Sequence, residues 1–220
     1  MNDVDTNSIY NSVSPQIKLG AHISHIYSTQ EHQFDIVNPF IKEGLEQNQK
    51  CIYIIDEGKT DDLILQLRKF GIDVDSVLQK GQLVFFYGDD IRGSSEYITP
   101  DTIIDFWKKE IDATLREGYN ALRIIGEMSW TQKALKSTKE FVEFEAKTNH
   151  LFKGNRCIAL CLFDETKFAE GLIVAALQTH PIVVYNKDVH HKRYYIPPDL
   201  LLRRLDQDLM YLYGIEDNSD

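Results

Sequence analysis

From residue 19 onward, short apolar runs alternate with stretches whose apolar residues recur at helical spacing. The first run, Gly20-Ala-His22-Ile-Ser-His25-Ile-Tyr27, reads as a strand that turns into a helix carrying Phe34, Val37, Ile41 and Leu45 on one side. Cys51-Ile-Tyr-Ile-Ile55 is nearly all apolar, the pattern of a strand buried on both faces. A helix follows, capped by Thr60 with Asp61 and Asp62 in its first turn and stopped by Gly71. Gln82-Leu-Val-Phe-Phe-Tyr87 is the next strand. Thr99-Pro100 opens a long helix with Ile103, Ile104, Trp107, Ile111 and Leu115, ending at Gly118. Ala121-Leu-Arg-Ile-Ile125 predicts a strand and residues 137–152 a helix with Phe141, Phe144, Thr148 and Leu151 along one side. Cys157-Ile-Ala-Leu-Cys-Leu162 is another buried strand, residues 167–178 a helix, and Ile182-Val-Val-Tyr185 a last strand.

Repeated strand–helix–strand units require crossover connections. They predict an α/β fold, a three-layer αβα sandwich around a mainly parallel sheet. Residues 1–18 are polar with little periodicity and read as a loose N-terminal arm. Residues 19–196 form the α/β domain, and residues 197–220 a C-terminal amphipathic helix and tail. Leu201, Leu205, Leu209 and Leu212 lie on one stripe of that helix, which can pack on the domain or form a dimer or partner surface.

Composition narrows the function classes. A chain of 220 residues with 43% hydrophobic content can fill a sizeable core. Its formal charge of −10 argues against nucleic acid and anionic membranes as partners, since both need a basic footprint. No apolar run approaches the ~20 residues of a membrane span, and the N-terminus is polar rather than signal-like. Three cysteines, Cys51, Cys157 and Cys161, make no disulfide framework. A cytoplasmic protein is expected.

Candidate chemistry begins with an absence. In a nucleotide-binding α/β domain the first strand–helix turn carries GxxxxGK[ST], whose glycines and lysine enclose phosphates. Residues 21–33 hold no glycine and no lysine. Gly58-Lys59-Thr60 is the end of such a motif only in appearance, because Tyr53 occupies the position of its first glycine. Thr60 reads instead as a helix cap.

Ligands of open α/β sheets bind beyond the carboxyl ends of the strands. His22 and Ser24 share one face of the first strand, His25 and Tyr27 the other. His22 reads either as a buried, hydrogen-bonded histidine or as a ligand contact. Glu127 follows the strand that would carry an acidic catalytic group. It reads as a ligand contact or as the ion-pair partner of Arg123, four residues earlier on the same face. Met128 and Trp130 can wall an apolar pocket or fill the core. Cys157 and Cys161 share a strand face roughly 13 Å apart, too far for a disulfide or a shared metal. Buried cysteine is the default, with a His/Cys/Glu metal site joining Cys161 to His180, Glu127 or His22 as the alternative. Asp164 can cap the following helix, His180-Pro181 can stabilise a turn or act in the site, and His190-His191 reads as a solvated loop.

The order of elements resembles the RecA/KaiC-like ATPase core over residues 18–186, lacking its Walker A loop. Gly20-x-His22-x-x-x-x-Tyr27, Arg123-Ile-Ile-Gly126-Glu127-Met128-Ser-Trp130, Ala159-Leu160-Cys161-Leu-Phe163-Asp164 and His180-Pro181 resemble, more specifically, the MEDS domain of methanogen and methylotroph signalling proteins and of the dichloromethane-dehalogenase repressor. One departure is Ser24, where that family frequently has a cysteine. The resemblance implies a non-catalytic sensory domain for a one-carbon or hydrocarbon-derived molecule. Its signal would pass to a partner such as a kinase or regulator, since no output module follows in the sequence. The expected ligand site is His22, Tyr27, Arg123, Glu127, Trp130, Cys161 and His180, with no cofactor and no metal. A dimerising interaction module on a dead ATPase scaffold ranks second, and a divergent ATPase using Glu127 third.

Overall fold

A computed structural model describes residues 9–55, 60–185 and 187–206. The strands are β1 (His22–Tyr27), β2 (Lys50–Ile55), β3 (Leu83–Tyr87), β4 (Leu122–Glu127), β5 (Cys157–Asp164), β6 (Ile182–Tyr185) and β7 (Asp188–His191). They form one sheet in the order β3-β2-β4-β5-β1-β6-β7, parallel throughout except for the β6–β7 pair. Strand periodicity divides the core in two. Ile52, Ile54, Ile124, Ala159, Cys161 and Phe163 point into one apolar cluster, and Tyr53, Ile55, Ile125, Leu160 and Leu162 into the other. Burial on both faces is why these strands are near-continuous apolar runs.

Helices cover both faces. On one lie α1 (Ile9–Val13), α2 (Gln30–Glu46), α3 (Thr60–Lys69) and α4 (Val74–Gln79). On the other lie α5 (Gly88–Arg92), α6 (Pro100–Arg116), α7 (Thr131–Ala134), α8 (Thr138–Phe152), α9 (Glu170–Thr179) and α10 (Pro198–Asp206). Local chemistry sets the helix ends. Thr99 accepts a hydrogen bond from the Thr102 amide ahead of Pro100, and Ser137 one from the Glu140 amide. Gly118, at φ +90°, leaves α6 in a conformation that costs a side chain dearly.

Several expectations are corrected. The stretch read as a loose arm contains α1 and a 3₁₀ turn at Ser14–Gln16, with Ile9, Tyr10 and Val13 buried on α2 and Tyr10 Oη donating to Glu43. Its helix is a single turn, too short to show periodicity. His190 and His191 sit on β7, the antiparallel edge strand, rather than in a loop. Leu115 is 36% exposed and off the buried stripe of α6. Asp164 caps not α9 but the tight turn before it, accepting from the Thr166 amide at 3.1 Å. In α10, Leu201 and Leu205 are buried on the domain, while Leu209 and Leu212 fall outside the described residues, as do Gly58 and Lys59. No helix among the described residues is long and apolar enough to cross a membrane.

Topology places a crevice. From β1 the chain crosses by α2 toward β2 on one face, whereas from β5 it crosses by α9 toward β6 on the other. Such a reversal leaves the carboxyl ends of the two neighbouring strands uncovered between them.

Candidate functional site

At that reversal, the ends of β1, β5 and β4 enclose a cleft of about 130 Å³. Its polar lining includes Thr29, Gln33, Glu127, Ser129 and Lys167, and its apolar lining Tyr27, Leu162 and Phe168. The turn from β1 to α2 is only Ser28-Thr29, and Thr29 Oγ1 accepts the His32 amide as the cap of α2. No loop is left there to wrap a phosphate chain. Glu127 ends β4 at the cleft, where Tyr53 Oη donates to its Oε1 at 3.0 Å and Gln33 Nε2 at 3.3 Å. Burial first, and then the Glu127 charge, hold the Tyr53 phenol well above its usual range, so it remains a donor. A carboxylate oriented by two side-chain donors is a fixed acceptor at the mouth of the cleft.

The second constellation is closed to solvent. His22 opens β1, Cys161 lies on β5, Glu145 on the inner side of α8 and His180 just after α9. All four are buried, and their donor atoms lie within 4.8 Å of one another. His22 Nε2 is 3.4 Å from Cys161 Sγ and 3.2 Å from Glu145 Oε2, and His180 Nε2 is 3.5 Å from that same oxygen. Among the described residues, none donates a hydrogen bond to either Glu145 oxygen. Burial, then Glu145, raises the Cys161 thiol well above its ordinary range, and burial, then His22, holds His180 well below its own.

The residues expected to form one pocket are thus divided among four places. Tyr27 and Glu127 line the cleft. His22, Cys161 and His180 meet one another on the α8 side of the sheet, as the metal-site alternative anticipated, but with Glu145 in place of Glu127. Arg123 is 1% exposed under α2, where Nη1 donates to the Phe40 carbonyl and Nη2 lies 3.7 Å from Glu43. It shares a face with Glu127 but pairs elsewhere. Trp130 packs edge-on to Phe144 and against Gly88, and borders a separate depression of about 140 Å³. Met128 is in the core.

Sequence reasoning missed Glu145, Gln33 and the role of Tyr53. Glu145 had a signal: it lies four residues after Phe141 and three before Thr148, an acidic residue on the apolar stripe of α8. Gln33 is similarly a buried polar residue near the start of an amphipathic helix.

Comparison with known proteins bears on the family and the fold. The family model described as the methanogen/methylotroph, DcmR sensory domain (MEDS) matches residues 21–181. The transcriptional repressor DcmR of Methylorubrum extorquens (strain DSM 6343 / CIP 106787 / DM4) is 28% identical over 161 residues, which are 72% of this chain and 57% of the repressor. The chain therefore spans little more than half the length of that relative. A KaiC-like protein from the hyperthermophilic archaeon Pyrococcus horikoshii OT3 superposes with a TM-score of 0.54 at 15% identity, over 76% of this chain and 72% of the other. That likeness concerns the fold.

Proposed function

The chain belongs to the MEDS family of sensory domains, and from that premise we propose that the cleft between β1, β5 and β4 is its ligand site. The molecule bound is a small organic compound, a one-carbon or short hydrocarbon derivative with one polar group, and it leaves unchanged. Glu127, held by Tyr53 and Gln33, carries this reading, because it presents a fixed acceptor beside the apolar surfaces of Leu162 and Phe168. A cleft of about 130 Å³ suits a ligand of a few heavy atoms, and the two-residue turn after β1 offers no phosphate grip. By analogy with the repressor DcmR, the bound state is read by a regulatory partner, a kinase or a transcriptional regulator.

Thermal melts against short-chain alcohols, aldehydes, carboxylates and halocarbons test the proposal. At least one compound is expected to raise the wild-type melting temperature and to have no effect on Glu127→Gln, which keeps the shape and loses the charged acceptor. Equal shifts in both proteins, or none in the wild type, defeat the assignment. Stabilisation by Mg-ATP that disappears in Glu127→Gln would instead restore a nucleotide site. Trp130→Ala is a poor probe of this cleft, since emptying a buried tryptophan site costs about 3–5 kcal/mol of stability by itself.

A further inference from the structure

We propose that His22, Glu145, Cys161 and His180 bind one divalent cation of the zinc class. This inference is independent of the ligand cleft and reverses the expectation of a metal-free chain.

Outward hydrogen bonds fix both imidazole tautomers. Asn149 spends its amide N–H groups on the Glu145 carbonyl at 3.0 Å and the Thr179 carbonyl at 2.7 Å, so its Oδ1 is the atom facing His22 Nδ1 at 3.3 Å. His22 must therefore donate from Nδ1. His180 Nδ1 lies 2.8 Å from the Ala176 carbonyl, which can only accept, so it donates as well. In the neutral rings both protons are then on Nδ1, and both Nε2 lone pairs point inward at Glu145 Oε2 and, for His22, at Cys161 Sγ. Imidazoles fixed by an outward N–H bond to a carbonyl or amide oxygen are the usual support of metal-ligating histidines.

Without a cation this arrangement is unfavourable. Lone pairs face a carboxylate that is fully buried and accepts no hydrogen bond among the described residues. A cation at the centre removes the conflict. Tetrahedral zinc at about 2.0–2.3 Å from nitrogen, oxygen and sulfur requires ligand atoms about 3.3–3.6 Å apart. Three of the six separations are 3.2, 3.4 and 3.5 Å, and all six lie within 4.8 Å, so a small closure of the quartet completes the tetrahedron. Two neutral imidazoles, one thiolate and one carboxylate also cancel a 2+ charge, which suits burial. Binding displaces the Cys161 thiol proton to solvent as the sulfur–metal bond forms. Two nitrogens with one sulfur select a borderline cation over calcium or magnesium, which take oxygen ligands. Four protein ligands with almost no exposure make a closed site, which would tie α8 and the end of α9 to the two central strands.

The full chain, exchanged against a chelator and reloaded with zinc, is measured for metal by mass spectrometry and then loaded with cobalt for optical spectra. The expected wild-type result is one zinc per chain and a thiolate-to-cobalt charge-transfer band. That band is lost in Cys161→Ser and kept in Cys157→Ser, a buried cysteine outside the quartet. Asn149→Ala, which frees the His22 ring, is expected to weaken zinc about 10- to 100-fold. Circular dichroism accompanies each variant, and the wild-type cobalt spectrum stands even if a variant fails to fold. A folded wild type that takes up no zinc, a cobalt spectrum without the thiolate band, or undiminished zinc in a folded Cys161→Ala/His180→Ala protein overturns the proposal.

Discussion

Replacing Arg123 with methionine is expected to lower the unfolding free energy by about 2–4 kcal/mol, although the residue touches neither candidate site. Its guanidinium lies over the Phe40 ring at 4.6 Å, and it donates to the Phe40 carbonyl at 2.7 Å and to Gln49 Oε1 at 2.5 Å. Methionine fills much of the same volume, so the cavity penalty is small. The cost comes from Gln49 Oε1, left without a donor in a buried space, and from the Phe40 carbonyl, which keeps its helical bond but loses the guanidinium. Glu43, the ion-pair partner, keeps 28% of its side-chain surface exposed, which spares the full penalty of an orphaned buried charge. Gly44 belongs to the same fit, since a Cβ there would stand 2.6 Å from Arg123 Cδ. Denaturant midpoints measure the effect, and a loss below about 1 kcal/mol would show that the buried guanidinium contributes little.

Acidification is expected to remove a comparable amount of stability through His25. That ring is 2% exposed, and Nε2 donates to the His32 carbonyl at 2.9 Å. Burial lowers its pKa from 6.5 to about 4, against the opposing effect of its hydrogen bonds to the His32 and Val184 backbone. The unfolded chain therefore takes up this proton first as the pH falls. Stability from His25 is complete above about pH 6.5 and declines toward pH 4, by up to about 3 kcal/mol. His25→Gln keeps a donor near the His32 carbonyl and cannot titrate. Denaturation midpoints followed between pH 7.5 and 4.5 should fall less steeply in this variant, by up to one bound proton. Parallel curves would assign the acid sensitivity to other groups.

The long elements were legible because each carries many residues that repeat one constraint. In α6, Ile103, Ile104, Trp107 and Ile111 all report the same buried face, and Thr99-Pro100 marks where it begins. Single-turn helices such as α1 and α5 offer too few residues for a period to register, and β7 is held by pairing with β6 rather than by its own pattern. The site was legible in its parts and misjudged in its grouping. Alternation along β1 and β5 assigned His22 and Cys161 to faces, but nothing in either strand says which helix lies opposite.

What the sequence determined by itself was local and periodic: the order of strands and helices, the two-faced burial that accompanies a parallel sheet, and the absence of a phosphate loop after β1. These follow from residue spacing and residue type within one segment. The tertiary structure decided which distant side chains meet. It directed Arg123 under α2, seated Trp130 on Gly88, and set Glu145 of α8 among His22, Cys161 and His180. The reason is geometric. Strand order and helix packing close contacts between segments as far apart as the 139 residues from His22 to Cys161, and a side chain's partner across such a gap leaves no period in the chain.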